Sequence, residues 1–249
     1  MKRFKEFVAA ILIISAVGAL LYFMYQRGST KTNRELADRI AQISPRGGPP
    51  ETIDGLRKAI ALYEDQIERN VREGAQTGVY WKILATRLAD RNMHNDALSA
   101  LERAIYFNSE DAFLYYLTGV SASFVAKSIV GFSANDVNER ERYFNLSERA
   151  YLRALEIDIT YTRPMYALGV LYVFELERPQ DAITYLDRYL LIQTSDYQAM
   201  FVLARAHFML ENFTQAIDIY DRIINRTKNM SEKDEALNNR DYIQGIIYG

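Results

Sequence analysis

The chain has 249 residues, of which 49% are hydrophobic and 25% are charged, so it is long enough to bury a substantial core. A formal net charge of -2 and a pI near 5.8 give no electrostatic footprint for nucleic acid, whose binding requires a basic face. The absence of cysteine excludes disulfides and thiolate metal sites.

The most apolar stretch lies near the N-terminus. Residues 7–25 carry no charge and follow Lys2, Arg3 and Lys5. As a helix they would span roughly 28 Å, close to the hydrocarbon core of about 30 Å. We therefore predict a transmembrane anchor over residues 1–26, with a cleaved signal peptide as the alternative. The basic start favours a single-pass protein of the inner (cytoplasmic) membrane, with the remainder in a bacterial periplasm.

Residues 27–50 are polar and are predicted to form a linker. They end in a proline- and glycine-rich run that cannot continue a helix, residues 44–50. Within the linker, Leu36, Ile40 and Ile43 have the spacing of a short amphipathic helix. A solvated spacer, a helix that rests on lipid and a contact within a homo-oligomer all stay open.

Residues 51–249 are predicted to be all-α. The first helix is expected to end near Arg72 and has one apolar face, formed by Ile53, Leu56, Ile60, Tyr63 and Ile67. We expect this helix to cover the exposed end of the domain, or to fill its groove.

An apolar pattern recurs four times between residues 78 and 228. In its first copy Trp81, Leu84, Ala85 and Leu88 are followed by Ala97, Leu101 and Ala104, and Gly119, Gly169 and Ala204 take the place of Ala85 in later copies. The spacing resembles the tetratricopeptide repeat (TPR), a helix-turn-helix of 34 residues. We place the repeats at 78–111, 112–161, 162–196 and 197–230, with a capping helix at 231–249.

The resemblance implies antiparallel helix pairs that stack into a superhelix with a groove. The small residue in each copy lets its two helices approach closely. The second copy contains an insertion, roughly residues 127–142, which predicts a hairpin with longer helices. Ser133 and Asp136 are predicted to cap its second helix. Its tip is unusually apolar, with Ile129, Val130 and Phe132. The tip either protrudes as a binding element or folds back on the neighbouring repeat.

Helical periodicity also predicts which side chains face the groove, because each first helix has one face not used for packing. Several are aromatic, which favours an amphipathic helix or an apolar strand as the bound partner. The predicted groove residues are Lys82, Phe113, Tyr116, Phe124, Arg163, Tyr166, Phe174, Phe201, Arg205 and Phe208.

Nothing in the sequence indicates catalysis, a cofactor or a metal. The chain has two histidines, His94 and His207, and lacks a glycine-rich phosphate loop, an HExxH motif and a nucleophile elbow. We therefore expect a non-enzymatic, membrane-tethered scaffold that holds protein partners of an envelope complex, such as one for secretion, division, outer-membrane assembly or a flagellar motor. A chaperone-like or import receptor that captures apolar segments is the alternative.

Overall fold

The computed structural model describes residues 52–131 and 133–248. These ranges form α-helices and turns and contain no strand. The described helices are α1 (Ile53–Asp90), α2 (His94–Phe107), α3 (Ala112–Ser128), α4 (Ala134–Ile157), α5 (Thr162–Phe174), α6 (Pro179–Ile192), α7 (Tyr197–Met209), α8 (Phe213–Arg226) and α9 (Met230–Tyr248).

The repeat region consists of helix hairpins. The end of α1 pairs with α2, and α3 with α4, α5 with α6 and α7 with α8, while α9 packs on α8. Small residues stand at the closest contacts: a Cβ atom added at Gly169 would lie 2.5 Å from Leu186 Cδ2, and one at Gly78 would lie 2.7 Å from Phe107 Cβ. Ala85 and Ala204 are fully buried. The close approach predicted from the repeat pattern is therefore present.

Polar side chains and proline mark several helix starts. The Asp111 carboxylate accepts a hydrogen bond from Phe113 N (3.0 Å) at the start of α3, which satisfies a free backbone amide. The predicted cap on α4 is confirmed, because Ser133 and Asp136 form a reciprocal capping box. Pro179 opens α6, where its missing N–H costs no hydrogen bond.

The insertion lengthens both helices of the second hairpin. Helix α3 has 17 residues and α4 has 24, whereas the helices of the next two hairpins have 13 or 14. At the tip between them, Val130 is 62% exposed, so this side chain does not fold back on a neighbouring repeat. Phe132 lies outside the described residues.

The prediction for residues 51–72 is wrong in one respect. The helix does not end near Arg72, because α1 continues without a turn to Asp90. Its predicted apolar face exists but is exposed, with Ile53, Leu56, Ile60, Tyr63 and Ile67 at 41% to 71% of full exposure. The hairpins belong to one compact unit that begins at Glu73, and residues 52–72 belong to another.

The predicted anchor (1–26) and linker (27–50) lie outside the described residues. Within residues 52–131 and 133–248, no helix combines the length and the apolar character needed to cross a membrane.

Candidate binding groove

A cavity of about 400 Å³ opens at the C-terminal end of the repeat array. Four predicted groove residues border it, from α5 and α7, and further side chains from α8 and α9 complete the wall. We call it the aromatic cavity; its lining is Phe174, Gln198, Phe201, Val202, Arg205, Phe208, Tyr220, Glu235, Asn239, Tyr242 and Ile243. Its volume lies within the range typical of sites for small ligands or for single anchoring side chains.

Ring contacts hold the walls of the aromatic cavity in place. Phe201 packs on Tyr220, with 5.9 Å between the ring centroids. Phe208 lies between Phe213 (5.9 Å) and Tyr242 (6.2 Å). Burial raises the pKa of Tyr220, so its hydroxyl stays protonated and can donate a hydrogen bond at neutral pH. These contacts preorganise an apolar surface.

Phe174 and Arg205 are the most accessible of the predicted residues at this cavity. The Arg205 guanidinium lies over the Phe174 ring, 5.1 Å from its centroid, which is cation–π geometry. Phe174 is 48% exposed and Arg205 is also exposed. Phe201 and Phe208, in contrast, pack partly into the core. A partner would therefore meet Phe174 and Arg205 first.

Tyr166 does not line the aromatic cavity. It packs against Tyr189, with ring centroids 5.4 Å apart, and the Tyr189 hydroxyl donates a hydrogen bond to Asp196 Oδ2 (2.5 Å). Burial, reinforced by the Asp196 charge, raises the pKa of Tyr166. The expectation that Tyr116, Tyr166, Phe201 and Phe208 take no part in packing is wrong, because all four pack partly against the core.

Four other predicted residues form a separate group. Lys82 Nζ forms an ion pair with Asp111 Oδ2 (2.5 Å) and lies 4.9 Å from the centre of the Phe113 ring. Tyr116 packs on Tyr161 (5.5 Å between centroids). Burial raises the pKa of Tyr161, and the charge of Arg163 nearby partly offsets that shift. Among the predicted groove residues, one group thus contains Lys82, Phe113, Tyr116 and Arg163. A second set, Phe174, Phe201, Arg205 and Phe208, lines the aromatic cavity, and Tyr166 lies outside both.

Phe124 belongs to neither group. Its ring stacks on His94 of the preceding hairpin, with centroids 4.4 Å apart and planes 2° from parallel. His94 Nδ1 lies 3.5 Å from the buried Ser121 Oγ. Among the described residues, no group of three His, Asp or Glu side chains is arranged to hold a metal ion.

A second cavity, of about 720 Å³, lies among α2, α3 and α4, and the sequence did not predict it. Tyr115, Tyr143, Leu146 and Leu98 contribute much of its apolar wall, and Arg153 lies at its edge beside Tyr115. The available signal was the position of Tyr143 and Leu146 on the helix lengthened by the insertion.

The contribution of α9 to the aromatic cavity was also missed. Glu235, Asn239 and Tyr242 follow one another at spacings of four and three residues, which places them on one helix face. Helical spacing in the sequence indicates that these residues share a face, but it does not indicate that this face borders the aromatic cavity.

The stacked hairpins and the small residues at their closest contacts define a TPR-type, all-helical repeat protein. No protein-family model matches the sequence, and no curated protein sequence matches it. The fold is similar to solved structures of MamA. A MamA RS-1 ArsTM double mutant is 11% identical, with a TM-score of 0.52, over 69% of this chain and 97% of that chain.

A second MamA structure, residues 41 to the end from Desulfovibrio magneticus RS-1, is 11% identical with a TM-score of 0.51. It covers 68% of this chain and 94% of that one. The TPR domain of P58(IPK) matches more loosely, at 13% identity and a TM-score of 0.36, over 80% of this chain and 71% of its own. At these sequence identities the similarity to MamA concerns the fold alone. With a TM-score of 0.36, the P58(IPK) structure adds nothing to it.

Proposed function

We propose that this protein is a membrane-tethered scaffold that binds a segment of another protein in the aromatic cavity. The proposal rests on the cavity itself. Half-exposed Phe174 and exposed Arg205 lie at its surface, and packed aromatic rings line the rest of it. Aromatic and arginine side chains around an apolar pocket are typical of binding hot spots. The TPR-type fold suits this role, because hairpin arrays present extended surfaces to protein partners.

The lining indicates the chemistry of the bound segment. Its apolar part offers room for an aliphatic or aromatic anchor, and Arg205 can pair with an acidic side chain near that anchor. Glu235, on the α9 side of the cavity, would repel a second acidic residue of the bound segment. We therefore infer an amphipathic helix with an apolar anchor and an adjacent acidic residue, inserted in one direction.

The cellular setting is part of the proposal. The uncharged residues 7–25 and the basic residues before them support an anchor in the inner membrane, with the repeats in the periplasm. The chain is proposed to act without chemistry of its own, as one member of an envelope complex.

Photocrosslinking in native membranes tests this function. A photoreactive amino acid at Gln198, which lines the cavity and is exposed, should crosslink one partner, whereas the same group at the exposed Tyr106 on α2 should not. Affinity for the purified partner should then fall about tenfold in Phe174→Ala, because roughly half of a phenylalanine surface loses its contact. Arg205→Glu should weaken binding at least as much.

Phe124→Ala is the matched control, since Phe124 is 52% exposed but lies against His94 and not at the cavity. It should leave the affinity unchanged. Equal losses in Phe174→Ala and Phe124→Ala, with intact melting curves, would contradict the proposed site. Exchange among many apolar peptides, without one partner of fixed stoichiometry, would favour the chaperone-like receptor.

A further inference from the structure

An exposed apolar stripe runs along the first part of α1, and neither the hairpins nor the aromatic cavity explains it. Ile53, Leu56, Ile60, Tyr63 and Ile67 follow at spacings of three, four, three and four residues. Ile53 is 71% exposed, and the least exposed of the five, Leu56, is 41% exposed. A strict 3–4 alternation is the pattern of a coiled-coil seam, which needs a second helix to cover it.

The opposite face of this part of α1 is stabilised within the helix. Lys58 pairs with Asp54 (3.1 Å), and Arg69 pairs with Asp65, both across one turn of helix. Arg57 and Glu64 instead flank the apolar stripe on the same side, and neither forms an ion pair with another described residue. The stripe is thus bordered by one positive and one negative charge, seven residues apart.

The positions of these two charges select a second copy of the chain, in antiparallel orientation. If Ile60 packs against Tyr63 of the other copy, the same alignment places Leu56 against Ile67. It also brings Arg57 beside Glu64 of the other copy, and twofold symmetry repeats each contact. In a parallel pair, Arg57 would face Thr52 and Glu64 would face Ala59, so no opposite charges would meet.

We propose that the apolar stripe of α1 is a homodimerisation surface, which forms an antiparallel, twofold-symmetric helix pair with the stripe of a second copy. The interface has four apolar layers, bounded at each end by a layer of Ile53 against Asn70. Its two Arg57–Glu64 pairs determine orientation more than affinity. The interface is closed, so it predicts dimers and not filaments.

Disulfide trapping tests the orientation directly, because the chain contains no cysteine that would interfere. Full-length Leu56→Cys and Ile67→Cys chains, carrying different tags in mild detergent, should crosslink when mixed and oxidised. Each variant alone should crosslink weakly. Crosslinking of each variant with itself, and not in the mixture, would indicate a parallel pair and overturn the proposal, as would a monomer at all concentrations.

Charge reversal tests the contact in solution. Arg57→Glu and Glu64→Arg should each raise the dimer dissociation constant about tenfold, because two attractions become two repulsions. The double variant Arg57→Glu with Glu64→Arg should restore the wild-type value to within about threefold. Lys58→Glu, on the opposite face, is the control and should have no effect. Light scattering of the full-length protein in detergent gives the mass.

The proposal is overturned if the two single reversals leave the dimer dissociation constant at the wild-type value. It is also overturned if the double variant dimerises as weakly as either single variant. In both cases the stripe binds something other than a second copy of the chain. Helical circular dichroism should be unchanged in every variant, since these side chains are exposed. Partner binding at the aromatic cavity should also be unchanged, so this test and that of the proposed function can fail independently.

Discussion

Glycines set the distance between paired helices at three hairpins. A Cβ at Gly78 would meet Phe107, one at Gly119 would meet the Tyr151 ring, and one at Gly169 would meet Leu186. The Ser147 hydroxyl adds a buried hydrogen bond to the Gly119 carbonyl oxygen (2.8 Å). A single methyl group at these positions therefore requires a core side chain or a helix to move.

We expect Gly169→Ala to lower the free energy of unfolding by about 1 to 3 kcal/mol, the usual cost of overpacking. Gly245→Ala is the matched control, because a Cβ there meets nothing within 4 Å. It should stabilise α9 by roughly 0.5 to 1 kcal/mol through its better helix propensity. Thermal and urea unfolding measure both changes. Equal stability of the two variants would show that the contact at Leu186 yields without cost.

The two histidines share one unusual feature. His94 Nε2 and His207 Nδ1 are buried without a hydrogen-bond partner among the described residues. Burial lowers the pKa of both rings from 6.5, and for His207 the charge of Asp187 partly opposes the shift. Each ring is therefore neutral in the folded protein at neutral pH, and charging it is less favourable than in the unfolded chain.

The sign of the pH dependence follows from these lowered pKa values. The unfolded chain binds protons first, so stability is full above pH 6.5 and falls as the pH drops through the folded-state pKa values. Thermal midpoints measured from pH 7.5 to pH 5 should show the decline. His207→Phe removes one titrating ring and should make the decline shallower. If stability declines as steeply in His207→Phe as in wild type, titratable groups other than His207 cause the decline.

At the scale of helices and turns, three hairpins share one helix ending. Asn92, Glu177 and Glu211 each have positive φ, at 60°, 50° and 58°, just after α1, α5 and α7. The next residues donate back to the preceding helix: Met93 N bonds Leu88 O, and Asn212 N bonds His207 O (both 2.9 Å). This left-handed ending normally favours glycine, because a Cβ atom is crowded there.

Glu211→Gly should therefore stabilise the fourth hairpin by about 0.5 to 1 kcal/mol. The relief of the left-handed strain exceeds the extra entropy that glycine has in the unfolded chain. Asn92→Gly is the comparison, and it should gain less because asparagine tolerates this conformation. Urea unfolding gives both values. A loss of stability in Glu211→Gly would mean that the Glu211 side chain contributes more than the backbone strain costs.

At the scale of the whole molecule, the proposed anchor predicts on which side of the membrane the repeats lie. We expect protease added to intact spheroplasts to digest the repeats, because the basic N-terminus should stay in the cytoplasm. A cytoplasmic marker protein should survive the same treatment. Digestion only after lysis would reverse the topology. A chain that starts at residue 27 should be released from the membrane.

Much of the helical architecture was predictable because its cause is local or repeats along the chain. The recurring Leu-small pattern at Ala85, Gly169 and Ala204 predicted which faces pack, and those residues are buried. The composition is consistent with this, since five prolines and twelve glycines leave room for long helices. The Ser133–Asp136 cap follows from three-residue spacing alone.

The sites depended on contacts between residues distant in sequence. Periodicity placed Tyr166 and Phe124 on the exposed faces of their helices, but each ring packs on a ring from another helix, Tyr166 on Tyr189 and Phe124 on His94. Periodicity also could not show that α9 would line the aromatic cavity, or that α2, α3 and α4 would enclose a second cavity. The sequence by itself determined which residues are apolar and how helices pair; tertiary structure decided which aromatic rings stay accessible, because accessibility depends on what the rest of the chain covers.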